Sequence, residues 1–449
     1  MDLLEVAAGI VDRGRSGEAL EAFVTHEREF HSKAFDGEIE SISSAEPRGA
    51  GVRTIVGDRA GFAYTTDLST AGLDELVEQS RENASFASED EAVALAPAWT
   101  DAPGDIEGLF DDSQSELDVA TKVAFAVELE TATRAAHEKI RTVEEAVYAD
   151  SSSQIAIATS EGISSSYRRS DAWCYTLAIA TDGDENEVGF EFDLARGLAG
   201  LDAEAVARRA ASHAVSILGA GKIPSQKMPV VFDPYVAGQF LGVLGQALTG
   251  EAAQKGRSLF AGKLGEQVAA TGLTLVDDGR LAGAPGSSPW DDEGVPTQRT
   301  EVIGSGVLNS FLYDVTTARR ESRESTGNAS RAGFKSAPGP APSNMAFEPT
   351  GESVDELLKK AGTAFLVQDF HGVHSGANAV SGDFSVGATG RLLKDGELGQ
   401  PVKEVTIACP MLDILKGIVA VAPDRRWLPF GGSYGGSTTL IAEMTVAGS

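Results

Sequence analysis

His371 and His374 are the closest histidine pair in the chain, set in the run His371-Gly372-Val373-His374, with Asp369 and Asp383 near enough in sequence to add a carboxylate oxygen. Imidazole nitrogen with carboxylate oxygen is a zinc-type donor set. The spacing serves a structural or substrate-contacting pair as well, and that reading is preferred. The rest of the six histidines offer less. His26 and His31 are an odd number of residues apart, which on a strand turns them to opposite faces. His137 stands beside Lys139 near a helix C-terminus, where a cation suits the dipole. His213 lies among alanines on a helix face, as a packing histidine does.

Nucleophile chemistry is no better supported. Gly431-Gly432-Ser433-Tyr434-Gly435 fits the G-x-S-x-G pattern, but that elbow needs a helix after the serine and a later acid and histidine. The few residues that follow read as a strand and contain no histidine. The match is read as accidental. Two cysteines, Cys174 and Cys409, make neither a disulfide framework nor a multi-cysteine zinc site. The chain has no G-x-G-x-x-G and no phosphate-cradling loop, so nucleotide cofactors are not expected.

The elements that must position these residues follow from periodicity and punctuation. A helical pattern over Leu3, Val6, Ala7 and Ile10 is followed by strand-like Ala22–His26, Ile39–Ser43, Gly51–Val56 and Gly61–Thr65. A helix carries Leu73, Leu76 and Val77 on one face, and Ala94–Gly104 reads as a linker. Ser113 and Glu116 form a capping-box pair that predicts a second helix through Leu117, Ala120, Ala124 and Val127. A meander of short strands follows, near Glu145–Tyr148, Gln154–Thr159, Ile163–Arg168, Trp173–Thr181 and Gly189–Leu194, then a helix capped by Asp202. Beyond Pro224, strand Met228–Phe232 runs into Asp233-Pro234, a cap with proline at the first helical position. That helix carries Phe240, Val243, Leu244, Ala247 and Leu248. Gly-punctuated strands fill the remainder, broken by the Pro-rich 336–349 and a short helix at Val354–Ala361. The fold class is α+β: an N-terminal α/β region with a mixed or antiparallel sheet, and a strand-rich C-terminal half. Domains are expected at 1–100, 105–222 and 226–449.

Composition bounds the partners. The 449 residues exceed one ordinary core, and 42% hydrophobic with 23% charged residues is a globular balance. The formal charge of −30 repels phosphate backbones and anionic lipids, so neither nucleic acid nor membrane is an expected partner. No apolar run is long enough to span a bilayer. The acidic start Met1-Asp2-Leu3-Leu4-Glu5-Val6 lacks the form of a signal peptide, so the protein is read as cytoplasmic.

The sequence resembles the TldD/PmbA (TldD/TldE) family, once described as modulators of DNA gyrase. The likeness rests on Lys255-Gly256-Arg257-Ser258-Leu259-Phe260, Gly265-Glu266-Gln267-Val268, Asp277-Asp278-Gly279 and Asp291-Asp292-Glu293-Gly294-Val295-Pro296-Thr297. It continues through Gly306-Val307-Leu308, Ser325-Thr326-Gly327-Asn328 and Ser381-Gly382-Asp383-Phe384-Ser385, in the family's order. Asp36-Gly37-Glu38-Ile39-Glu40 and Gly51-Val52-Arg53 extend it to the N-terminal region. The resemblance implies a two-chain peptidase that degrades unfolded peptides and trims leader sequences: a zinc-bearing TldD-type subunit and a PmbA-type subunit without the metal. In the zinc-bearing type, His-Glu-x-x-x-His lies on the helix before the Lys-Gly string, and a cysteine near the C-terminus completes the site.

This chain departs from that pattern. Aligned on Lys255-Gly256, the motif falls on Leu241-Gly242-Val243-Leu244-Gly245-Gln246. Leu241 and Gly242 cannot ligate or act as a base, and Gln246 is outside the usual zinc inventory. Asp424 to Gly436 holds no cysteine, and Cys409 is upstream. The expectation is a PmbA/TldE-like subunit with no catalytic residue and no cofactor of its own, zinc being carried by a TldD-like partner. A homodimer is the other expected assembly. Two further readings stay open: a self-sufficient metallopeptidase holding metal with His371, His374 and a carboxylate such as Asp383, and a non-enzymatic regulator that binds a peptide or protein.

Overall fold

The computed structural model describes residues 1–428 and 432–448, apart from the side chain of Ser115. Helix α1 (Leu3–Val11) is capped by Asp2 and buries Leu3, Ala7 and Ile10. Strands β1 (Glu18–Phe35), β2 (Glu38–Ala45), β3 (Arg48–Val56), β4 (Arg59–Thr65), β5 (Ile140–Thr159), β6 (Ser164–Asp182) and β7 (Glu185–Ala195) form one antiparallel sheet in the order β4-β3-β1-β5-β6-β7. β2 folds back on the second half of β1. The sheet is therefore continuous from the first expected domain into the second.

Four of the expected short strands are two long ones. The runs Ser151-Ser152-Ser153 and Arg169-Ser170-Asp171 fall between the expected strands, yet they pair with each other across β5 and β6, and β5 pairs on its other side with Glu27–Glu29 of β1. Ladder hydrogen bonds on both sides hold residues with no strong strand preference. The expected capping box is also displaced. Asp112–Glu116 is a short 3-10 turn, and helix α3 (Val119–Ala135) begins at Asp118, whose carboxylate accepts from the Thr121 N–H at 2.7 Å.

Side-chain alternation gives this sheet two different faces. Leu20, Ala22, Val24, Ala50 and Val52 pack beneath α1 and helix α2 (Thr70–Phe86). Farther along, α3 and helix α4 (Ala203–Ile217) cover Phe30, Tyr148 and Cys174. Phe23, Ile155 and Ile157 face the other way, against Trp290 and Val315 of the C-terminal half.

Among the described residues that half holds two six-stranded sheets and one two-stranded ladder. In one, β8 (Gln226–Phe232) lies parallel to 364–371 and antiparallel to 439–447. Strands 385–394 and 397–408 continue it, and Thr406–Ala408 pairs back onto Thr445–Ala447, closing five strands into a ring. The other sheet contains β9 (Leu275–Asp278), β10 (Arg299–Gly304), Met345–Phe347 and Tyr434–Gly436. Helix α5 (Pro234–Ala247) leaves β8 and packs between the two sheets. At Gly436 any Cβ would collide with the Pro234 carbonyl, so glycine is what lets this strand touch the first turn of α5. Among the described residues no helix is long and apolar enough to cross a membrane.

Candidate functional site

Two places on α5 bear on chemistry. At its C-terminal end lie the positions of the missing motif. Leu241 and Leu244 are fully buried in the main core, whereas Gln246 is exposed. Gly242 and Gly245 leave room for the Tyr434 ring, which a Cβ on Gly245 would strike. A leucine sealed in a core and a glycine under a tyrosine ring supply no donor, so these residues do not fit a metal. Among the described residues no group of three or more His, Cys, Asp or Glu side chains is gathered closely enough to hold an ion. His371, His374 and Asp383 are therefore not brought together as a ligand set. His374 is exposed on the turn Val373–Gly376, and Asp383 is exposed and accepts from Ser381 Oγ at 2.6 Å.

His26 and His137 lie where local partners hold them. His26 Nε2 is 2.7 Å from Glu46, and His137 Nδ1 accepts from the Lys139 N–H at 3.1 Å. Ser433 donates to Asn344 at 2.6 Å and leads into strand Tyr434–Gly436, so it has neither the helix nor the base of an elbow; Gly431 lies outside the described residues. Burial pushes the Cys174 thiol up to about 12, far from a reactive thiolate.

At the N-terminal end of α5 a cleft of about 550 Å³ opens between β7, α4 and the C-terminal sheets. Asp233 sits where β8 turns into the helix. Its N–H donates to the Val367 carbonyl at 3.1 Å, and its Oδ1 accepts from the Val236 N–H at 2.9 Å as the helix cap. A bulge between Val367 and Asp369 presents Gln368 and Asp369 to the same cleft. Phe190, Phe192 and Tyr235 form one wall, with ring centroids 5.6 to 5.8 Å apart. Gly189 allows β7 to approach α4 here, since a Cβ would run into the Ala210 carbonyl.

The charges of the cleft are mostly paired. Glu191, 2% exposed, takes the Arg426 guanidinium, which also donates to the Phe192 carbonyl at 3.1 Å. Although burial alone would raise it, Arg426 holds the Glu191 carboxyl below the usual carboxylate range. Lys403 is held by Glu185 at 2.7 Å and by Glu187. His371 donates or accepts with Thr389 Oγ1 at 2.9 Å and lies 3.7 Å from Asp369. His213 meets the Phe190 carbonyl at 3.3 Å, so the helix histidine read as packing also lines the cleft.

Burial raises the Asp369 carboxyl and pushes Asp233 up to about 8. The folded chain then keeps the Asp233 proton to about pH 8, while the unfolded chain releases it near the ordinary aspartate value of about 4. Between those values the folded state binds more protons, and stability falls as pH rises. Asp233→Asn keeps a good helix cap and removes this dependence. Its melting temperature should exceed the parent's at pH 7–8, with the gap closing towards pH 4; an equal gap at both ends would refute the assignment.

Sequence reasoning found Asp233 as a cap and Asp369 beside His371 as a candidate pair, but not Glu191 or Arg426 as their cleft neighbours. Asp233, Glu191, Asp369 and Arg426 come from four separate segments, and no local signal joins them.

Comparison with known proteins follows the same span. Profiles of the PmbA/TldA metallopeptidase family match along the chain: domain 1 over residues 20–84, the central domain over 112–218 and the C-terminal domain over 225–448. The Metalloprotease PmbA homolog of Haemophilus influenzae is 29% identical, covering 97% of this chain and 93% of that protein. Metalloprotease PmbA of Escherichia coli O157:H7 is 28% identical over 92% of this chain and 88% of its own length. In structure, a candidate modulator of a DNA gyrase from Thermotoga maritima superposes with a TM-score of 0.90 at 26% identity, over 99% of both chains. TldE from Thermococcus kodakarensis shares the fold, with a TM-score of 0.87 at 23% identity and 99% coverage of each.

Proposed function

The chain belongs to the PmbA/TldD metallopeptidase family, and from that premise we propose that it is a PmbA/TldE-type subunit of a two-chain peptidase, without a zinc site of its own. A TldD-type partner would carry the zinc, and the complex would act in the cytoplasm on unfolded or leader peptides. The observation that carries this reading is the end of α5, where Leu241 is sealed in the core, Gly242 lies under Tyr434 and Gln246 points to solvent. No acid–base or metal step is available to these side chains. The contribution left to the subunit is architectural, completing a chamber or groove beside the partner's metal.

Zinc per chain, measured on untagged protein purified alone, should be well below one equivalent, and the chain alone should not cleave an unstructured peptide. Cleavage should appear on mixing with a TldD-type chain. A full equivalent of zinc with cleavage by the isolated chain, both lost in His371→Ala, would overturn the reading in favour of a self-sufficient peptidase. Stable homodimers that never exchange with a TldD-type chain would remove the two-chain part of it.

A further inference from the structure

The cleft at the start of α5 has more acceptors than donors. Among its cations, Lys403 is committed to Glu185 and Glu187, and Arg426 to Glu191. Asp233 and Asp369 are left with no lysine or arginine partner among the described residues; Asp369 has only His371, at 3.7 Å. Asp233 uses Oδ1 as the helix cap, and no described side chain donates to its Oδ2. Gln368, also in the lining, has a buried Oε1 without a hydrogen-bond partner. Once Asp233 gives up its proton, the ligand that answers this set is one that brings donors, as an ammonium or a guanidinium does.

The wall beside these carboxylates is aromatic. Phe190 and Tyr235 are half-buried with ring centroids 5.6 Å apart, and they stand on Phe192, which is 3% exposed and already faces the Arg426 guanidinium. Aromatic faces attract cations and accept an apolar stem. An anion would meet unpaired carboxylates, and a neutral apolar ligand would bury them without compensation. We propose that this cleft binds an organic cation on an apolar stem, a lysine- or arginine-type group, with Asp233 and Asp369 holding the charge and the Phe190 and Tyr235 rings holding the stem. The site is at the opposite end of α5 from Leu241–Gln246, and it does not depend on the subunit reading.

Calorimetric titration of the full chain at pH 9, above the range in which the empty cleft keeps the Asp233 proton, decides it, with the capped amides of lysine and arginine, the neutral capped norleucine amide, and cadaverine as probes. The cationic probes should bind, and norleucine amide should not in the same concentration range. Asp233→Asn and Asp369→Asn should each weaken binding about tenfold or more, the loss of one charge-assisted contact. Asparagine still caps α5, and Asp369 is half exposed, so both variants are expected to fold, as checked by circular dichroism. Tighter binding of the capped residues than of cadaverine identifies a peptide side chain as the source; the reverse identifies a free amine. Equal binding of norleucine amide, no binding of any cation, or unchanged affinity in both folded variants overturns the proposal.

Discussion

Arg331→Ala should lower the unfolding free energy by about 3–5 kcal/mol, read as a shift of the urea midpoint at unchanged slope. Arg331 comes from the C-terminal half and is fully buried against Glu21 of β1. Its backbone N–H donates to Asp292 Oδ2 at 2.7 Å, its guanidinium donates to the Asp292 carbonyl at 2.9 Å, and it stacks 4.8 Å from the Phe23 ring centre. Glu21 also accepts from Arg53 at 2.6 Å, and Arg53 reaches Glu293 at 2.8 Å. Two guanidinia thus face Glu21, Asp292 and Glu293 at the seam between the sheet and the C-terminal half.

Burial works against every one of these carboxylates. Glu21 is nevertheless held below its ordinary range by Arg53 and Arg331, while Asp292 is pushed up to about 6 and Glu293 is raised. Removing Arg331 leaves Arg53 alone against Glu21 and Glu293, whose side chains are fully buried. The network is not fully satisfied: Arg331 Nη1 and Arg53 Nε have no hydrogen-bond partner. Replacing Arg331 by methionine together with Glu21→Gln should therefore recover much of the loss, since an apolar replacement is far cheaper than an orphaned charge. A loss under about 1 kcal/mol for Arg331→Ala would show that the seam does not depend on the pair.

Rebuilding the zinc motif should fail. A chain carrying Leu241→His, Gly242→Glu and Gln246→His should lose roughly 3 kcal/mol or more of stability and still bind well under one equivalent of zinc. Leu241 is fully buried among apolar side chains, where an imidazole finds no hydrogen-bond partner. Protein zinc sites use at least three ligands, and Asp424 to Gly436 provides no cysteine to complete the set. Metal analysis and a urea titration on the same sample check both halves. One zinc per chain at full stability would mean that the surroundings of α5 are still those of a metal site, and that the substitutions alone removed it.

Local chemistry in the sequence was enough to determine the helix starts whose caps are strong. Asp233-Pro234 opens α5, and Ser353 with Glu356 forms the capping box of helix Val354–Ala361. Helix face patterns also gave correct core residues, as with Leu3, Ala7 and Ile10. The absence of the zinc motif was legible too, because ligation needs particular side chains and Leu241 and Gly242 are not among them. These are statements about residue type and short spacing.

Strand length, and the joining of the first two regions into one sheet, were decided by tertiary structure. The serines of β5 are strand because β1 and β6 flank them, and that pairing is invisible to a local window. The seam depends on Arg331 meeting Glu21 across 310 residues of chain. The cleft likewise draws Glu191, Asp233, Asp369 and Arg426 from four segments. A buried charge is tolerated only where the whole fold delivers its partner, so such sites exist in the packing and leave no pattern along the chain.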